Sequence, residues 1–383
     1  MGTASRIRLG ASILATHPGL GTWYLRNRLR VATLPFERDH LAGYSRFARN
    51  LTFRLTWACN LRCKMCRYAQ NGNVCTSPSD VLPLDAWTSV VDDVSRFRPY
   101  ISMTGGEPLM YPHTEALIRY IRERHMRSTF TTNGTLLAQR APALMGAPPD
   151  VLIVSLDGPR DVHNAVRGQP KTYERAVEGI AAVRELKHGS KQNAPAIVIN
   201  CAITPYNYEH APAVVRIARD LQVTALNYQH QWSLTPDAVS EHNAAHGDCH
   251  SLSCEEAGAA DPPPTDPAQV VEAVRRIRRE AASLRDQLMV TFHPNLTDSE
   301  VYEWHSNPRV WVQRRPAVCA WINTNILPNG DVEPCPGVVC GNITETAFSQ
   351  IWNGPPYRAF RRRLAAASDF PICVRCCIYF RRD

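Results

Sequence analysis

Three cysteines, Cys59, Cys63 and Cys66, fall within the eight-residue run Cys59-Asn60-Leu61-Arg62-Cys63-Lys64-Met65-Cys66. Thiolates this close can converge on one metal centre only if the chain wraps as a loop. Three ligands leave one position open. Structural zinc wants four protein ligands, which this stretch supplies only if Cys75 joins. A [4Fe–4S] cubane held by three cysteines keeps one iron exposed to a substrate or cofactor, and this reading is favoured over zinc and over reactive or structural thiols. A second group lies near the C-terminus: Cys319, Cys335 at the end of Gly330-Asp331-Val332-Glu333-Pro334-Cys335, and Cys373-Val374-Arg375-Cys376-Cys377. Four thiolates that include a CxxC pair suit either an iron–sulfur cluster or zinc. Thirteen cysteines in 383 residues are too many to be idle in a reduced compartment and too sparse for a disulfide-stapled secreted scaffold. Metal chemistry is the leading explanation.

The elements that must position these groups alternate along the chain. Short β-branched or aromatic runs at 51–57, 100–104, 128–132, 151–157, 196–204 and 225–231 read as strands, with amphipathic helices at 84–97, 113–124, 173–187 and 211–221 between them. This is the pattern of parallel βα units. The cysteine loop follows the first strand, so it points into a barrel mouth. The fold expected is α/β, a partial (β/α)6 TIM-like barrel with a small cysteine-rich C-terminal auxiliary-cluster domain. Its segments are a basic leader (1–50), the partial barrel (51–232), a lid or linker with a basic helix at 268–288 (233–318), and the C-terminal domain (319–383). The leader carries eight arginines against Glu37 and Asp39, most of the formal net charge of +8. Two helices packed under the main domain explain it most simply; peripheral contact with an anionic membrane is the alternative. No apolar run approaches a membrane span and no signal peptide is visible, so the expected location is cytoplasmic.

Further motifs sit at the ends of successive strands. Thr104-Gly105-Gly106-Glu107-Pro108 ends the second and Thr131-Thr132-Asn133-Gly134 the third. In the fourth, alternation places Ile153, Ser155 and Asp157 on one face. Asp157-Gly158 then leads through His163 to Arg167-Gly168. With the CxxxCxxC spacing, this series resembles the radical S-adenosylmethionine (radical SAM) superfamily. The resemblance implies that S-adenosylmethionine chelates the open iron of a [4Fe–4S] cluster held by Cys59, Cys63 and Cys66. Reductive cleavage, fed by an external one-electron donor such as flavodoxin or ferredoxin, would then give a 5′-deoxyadenosyl radical that abstracts a hydrogen atom from an organic substrate. It also implies that Gly105 and Gly106 let the backbone approach the cofactor and that the Glu107 carboxylate receives its amino group. Thr132, Asn133, Ser155 and Asp157 become cofactor contacts, and Arg167 a partner for its carboxylate. Met65 stands where this family often has an aromatic residue, and its polarisable side chain can fill that place. The C-terminal cysteines resemble the SPASM extension or its shortened twitch form. One auxiliary cluster on Cys319, Cys335, Cys373 and Cys376 is implied, with Cys340 and Cys377 as substitutes.

The other cysteines say less. Cys201 alternates with Ile197, Ile199 and Ile203 and belongs to the core, with Asn200 on the lumen side. His242, His246, Cys249, His250 and Cys254 lie in a stretch read as mobile. Cys249 and Cys254 are candidate hydrogen-atom donors to a substrate radical. Within the resemblance, the expected activity is oxidation or epimerisation of a small molecule such as an aminocyclitol or sugar. Only about 50 residues precede the barrel, short for a leader-binding domain of ordinary size, which disfavours a peptide substrate. A lipid or cell-envelope substrate is motivated by the basic leader. A metal-stabilised nucleic-acid binder would leave Glu107 and the mouth glycines without a role, so no nucleic acid is expected.

Overall fold

The computed structural model describes residues 32–70, 72, 74–75, 81–190, 193–248, 250–254 and 263–380. Nine strands form one sheet: β1 (Asn50–Arg54), β2 (Tyr100–Thr104), β3 (Arg127–Thr132), β4 (Val151–Ser155), β5 (Ala196–Ile203), β6 (Ala225–His230), β7 (Met289–His293), β8 (Asn323–Ile326) and β9 (Val332–Glu333). Their spatial order is β7-β6-β5-β4-β3-β2-β1-β8-β9. Every pair is parallel except the antiparallel hairpin of β8 with β9. The six expected strands are all present, and the structure adds β7 at one edge and β8–β9 at the other. β7 was missed because it is a single short run directly behind a long helix. β8, Asn-Thr-Asn-Ile, lacks apolar alternation because its asparagines face the lumen.

Helices cover the outer face because their apolar positions recur every three or four residues. The helix Leu84–Val94 buries Trp87, Val90, Val91 and Val94, with the Trp87 ring centroid 4.7 Å from that of Phe53 on β1. Thr114–Glu123 buries Leu117, Ile118 and Ile121 in the same way. Cys201 is buried in this outer core.

The inner face is polar. Thr52 on β1 donates to Asn323 Oδ1 on β8 at 3.4 Å. Asn227 on β6 donates to Asn200 on β5 at 2.6 Å and accepts from Thr291 on β7 at 3.0 Å. A barrel interior is ordinarily filled by branched apolar side chains, whereas this one is bridged by amides and hydroxyls.

One expectation changes. The stretch after Trp232 is an ordered helix, Pro236–His246, started by Thr235 Oγ1, which accepts from the Ala238 amide. His242 and His250 within it are buried rather than on a mobile segment. His242 Nε2 lies 3.1 Å from His250 Nδ1, and His250 Nε2 lies 3.0 Å from the Pro336 carbonyl. This relay requires His250 to donate to Pro336 and accept from His242, which packs the segment onto the turn after Cys335. The basic leader has its residues 1–31 outside the described set; its described part contains the helix Leu34–His40, whose Glu37 accepts from the Ser45 hydroxyl at 3.1 Å. No helix among the described residues is long and apolar enough to cross a membrane.

Candidate active site

The loop Cys59–Cys66 leaves β1 at the C-terminal edge of the sheet and is gripped from three sides. From β3, Asn133 Nδ2 donates to Asn60 Oδ1 at 2.9 Å and lies 4.0 Å from Cys59 Sγ. Asn60 in turn donates to Thr135 Oγ1 at 2.8 Å. From the segment after β4, the Val166 carbonyl accepts from the Lys64 amide at 2.9 Å, and Gln169 Nε2 donates to the Asn60 carbonyl at 2.7 Å. Within the loop, Arg62 donates to the carbonyls of Cys59 and Leu61 and, beyond them, to that of Val74. The loop is thereby held through its own backbone groups and the Asn60 side chain.

Arg167 reaches the second cysteine. Its Nη1 is 3.8 Å from Cys63 Sγ, and its Nη2 is 2.6 Å from Asp157 Oδ2. The pair is nearly closed to solvent, with side chains 10% and 1% exposed. Asp157 Oδ1 also accepts from the Ala202 amide on β5 at 3.1 Å. The Asp157 amide donates to His163 Nδ1 at 3.0 Å, so this imidazole is neutral with its proton on Nε2. Burial, with Arg167 nearby, pushes His163 down to about 2.

Glu107 is fully buried and its carboxylate is engaged. Oε1 accepts from Leu109 N at 3.0 Å and from Thr132 Oγ1 at 2.7 Å, and Oε2 accepts from Asn133 N at 2.7 Å. Burial raises its pKa and these donors oppose the rise. Glu107 and Thr132 therefore brace the end of β2 against the end of β3. The glycines before Glu107 serve a similar approach. A Cβ on Gly106 would sit 2.2 Å from the Ala58 carbonyl oxygen, and one on Gly105 (φ +138°) would sit 2.5 Å from that of Thr56. The amides of Gly106 and Glu107 donate to Thr56 and Ala58 at 2.7 Å each. The glycines thus let the end of β2 lie directly against the loop that follows β1. Ser155, half-buried at the end of β4, is in register with Asn200.

The chemistry of the donor set fits an iron–sulfur cluster. Cys59, Cys63 and Cys66 would hold it, with N–H donors from Leu61, Asn133 and Arg167 aimed at two of the sulfurs. Burial pushes the Cys59 thiol up to about 11, so thiolates here call for a bound positive charge. Arg167 Nε and His163 Nε2 are buried beside the loop with no hydrogen-bond partner among the described residues.

In the C-terminal segment, Cys319, Cys335, Cys373 and Cys376 stand close enough for their charges to disfavour one another's ionisation, on top of the burial that dominates. Cys377 interacts with its neighbour Cys376, and Cys340 faces Arg361 and Glu333 instead. Among the described residues, no three His, Cys, Asp or Glu side chains are placed to hold a single metal ion. Cys254 is exposed, and Cys249 lies outside the described residues.

Sequence reasoning missed Asn60 and Gln169, which hold the loop, and a ring of residues around the mouth: Arg54, Trp57, Arg67, Tyr68, Trp232 and Glu333. Asn60 sits inside the CxxxCxxC run and had a visible signal. The mouth residues come from four separate segments, and nothing in their spacing brings them together.

Residues 54–216 match the radical SAM superfamily, and residues 319–377 match the SPASM iron–sulfur cluster-binding domain. The AdoMet-dependent heme synthase of Methanosarcina barkeri is 32% identical over 180 residues, 46% of this chain and 49% of that protein. The Fe-coproporphyrin III synthase of the same organism is 27% identical over 195 residues, 50% and 46% of the two chains. The mycofactocin maturase MftC of Mycobacterium ulcerans is 32% identical over 137 residues, 34% and 36%. The chain spans about half the length of the two synthases. Among solved structures, Streptococcus suis SuiB bound to its precursor peptide SuiA superposes with a TM-score of 0.62 at 15% identity, over 89% of this chain and 72% of that one. This likeness is one of fold. The radical SAM domain implies a [4Fe–4S] cluster and S-adenosylmethionine, and the SPASM domain implies additional iron–sulfur ligation. The chain therefore carries a radical SAM domain followed by a C-terminal SPASM domain.

Proposed function

We propose that this enzyme removes a hydrogen atom from a small organic substrate seated between the Cys59–Cys66 loop and the C-terminal segment. The supporting observation is the grip of Asn133 and Arg167 on Cys59 and Cys63, which leaves the loop's remaining side facing the mouth. When bound, the cluster and S-adenosylmethionine supply a 5′-deoxyadenosyl radical. The chain's own part is to hold three thiolates, to set a guanidinium against one of them and to keep solvent from the mouth. Cys59, Cys63 and Cys66 are the proposed ligands of the first cluster. Gly105, Gly106, Glu107, Thr132, Asn133, Ser155, Asp157 and Arg167 form the proposed cofactor surround, several of them acting through the loop they brace. Cys319, Cys335, Cys373 and Cys376 would hold one auxiliary cluster, which takes the second electron in an oxidation or shapes the pocket.

The finer reading is a dehydrogenase or epimerase. The lumen's amides and hydroxyls support a polar substrate, of which aminocyclitols and sugars are one class, although the relatives described above are not named for one. An external reductant such as flavodoxin or ferredoxin would feed the first cluster, and Cys254 is the described candidate for a hydrogen-atom donor. A second reading, with a peptide as substrate, is supported by the relative named as a maturase and by a fold shared with a peptide-bound protein.

Anaerobically reconstituted protein should cleave S-adenosylmethionine, and Cys63→Ala should lower 5′-deoxyadenosine formation by at least about 100-fold. Retained cleavage rejects the assignment. Once a substrate is found, deuterium entering product from D2O marks a thiol donor, and unlabelled product marks net oxidation.

A further inference from the structure

Lysine is rare in this chain. Four of its 43 basic side chains are lysines, and two of the four, Lys64 and Lys171, lie beside the first cysteine loop. Lys64 sits between Cys63 and Cys66, and Lys171 is the N-cap of the helix Thr172–Gly189. The fold brings their two segments into one strip of surface. The Lys64 amide donates to the Val166 carbonyl at 2.9 Å, and a Cβ on Gly168 would sit 2.7 Å from the Arg62 carbonyl oxygen. Arg62, Lys64, Gly168 and Lys171 are exposed, whereas Cys63, between the first two, is buried. The stretches 58–70 and 162–173 that make the strip carry five Arg or Lys residues and no aspartate or glutamate. Lys171 holds φ +63°, a left-handed conformation that strains most side chains. A glycine would serve that backbone better than the lysine found there.

By contrast, Arg275 and Arg279 on the helix Pro267–Ser283 are held by Asp298 and Glu272 at 2.7 Å each. On the helix that Lys171 begins, Glu174 is engaged by Arg160 at 3.2 Å and senses Lys171 as well. A lysine is a compact, hydrated charge on a flexible stem, whereas arginine fixes a planar partner through its fork. Mobile charge of one sign suits a transient encounter, because it attracts an oppositely charged surface at long range without demanding one geometry. We propose that this strip is the docking face for an acidic one-electron carrier protein, drawn by Lys64, Lys171 and the charge of Arg62 against the peptide that bears Cys63. One electron leaves the carrier and one enters the cluster held by the loop, with no bond made or broken. Arg62 keeps its three carbonyl partners throughout and contributes charge alone. The need for an electron rests on the radical SAM reading; the docking chemistry rests on the strip.

The test is equilibrium binding to the reconstituted holoenzyme by calorimetry, with two acidic carriers in their oxidised forms titrated separately, a recombinant flavodoxin and a recombinant ferredoxin. Saturable binding of either supports the docking face, and the tighter of the two names the carrier. Raising the ionic strength from about 0.05 M to about 0.5 M should weaken that binding at least about tenfold. Lys64→Gln/Lys171→Gln, checked for unchanged iron content, should weaken it at least about threefold at the lower salt. Lys171→Glu alone should do the same, and it lies outside the cysteine loop, so it decides the matter even if the double variant loses iron. Carrier-driven cleavage of S-adenosylmethionine by Lys171→Glu should fall by a similar factor while dithionite-driven cleavage stays at the wild-type rate. Binding indifferent to salt, full binding by both variants, or no binding of either carrier up to about 1 mM would overturn the docking face. So would a single-stranded oligothymidylate that binds as tightly with the same dependence on the two lysines, the behaviour of a general polyanion surface. Dithionite-driven cleavage by the wild type is measured in parallel. Its absence sinks the radical reading without touching the binding result.

Discussion

The two thiol-bearing regions are built on opposite principles. The loop Cys59–Cys66 offers three thiols and surrounds them with donors, an asparagine amide and the Arg167 guanidinium. The C-terminal set offers four, and the charged groups that act on Cys335 and Cys373 are other thiols with Glu333 and Asp369, all of one sign. A centre with an open corner gains from a fixed cation that offsets its charge and from a loop that cannot drift. A centre closed by four protein sulfurs already has its geometry determined by ligation. The difference teaches that polar scaffolding is concentrated where ligation is incomplete.

The contrast breaks most decisively through metal content. Wild-type protein should hold about eight irons as two cubanes. Cys66→Ala and Cys376→Ala should each fall to about four, with S-adenosylmethionine cleavage lost by at least about 100-fold only in Cys66→Ala. Cys340→Ala, outside both groups, should keep both iron complements. If Cys340→Ala loses iron as Cys376→Ala does, the four-thiol assignment is wrong. A smaller effect separates the scaffolds. Asp157→Asn leaves Arg167 without its buried counter-ion, and urea unfolding should register a loss of about 3–5 kcal/mol; a loss below about 1 kcal/mol would mean that the pair does not carry the loop.

The last difference concerns protons. His163 beside the loop is pushed down to about 2 and His242 behind Cys335 to about 4, both by burial first. Each binds its proton less readily folded than unfolded, so each contributes stability that is present above about pH 6.5 and lost as the pH falls. Between pH 6.5 and 5 the loss approaches about 1.4 kcal/mol per pH unit per histidine. Below about pH 4, His242 should add no more while His163 continues, so a His242→Gln variant should flatten the urea-midpoint curve only above about pH 4. Flattening that extends lower would contradict the burial difference between the two regions.

Much of this was readable from the residues themselves. The six central strands follow from β-branched runs, and the first cysteine loop from ligand types at fixed spacing. Cys201 and Asn200 were assigned to opposite faces by simple alternation, as the structure has them. What escaped shares one physical cause, side chains whose role depends on partners far along the chain. β8 carries asparagines because the lumen accepts amides, so its pattern does not announce a strand. The bracing role of Glu107 could not be read either, because its oxygens accept from neighbours 25 and 26 residues away in sequence, Thr132 and Asn133. The histidines at 242 and 250 sit in a polar stretch that looked solvated until Pro336 and Phe370 were brought against them.

The pairing of β8 with β1, from Asn50 opposite Asn323 to Phe53 opposite Ile326, has a consequence for anyone who would trim or transplant the C-terminal segment. A cut before residue 319 would strip the strand that bears the first cysteine loop of its flanking partner and leave a raw, sticky edge of unpaired peptide groups. The trailing thiols are therefore welded to the wall of the reaction chamber, and a graft that ignores that seam would aggregate before it could be assayed.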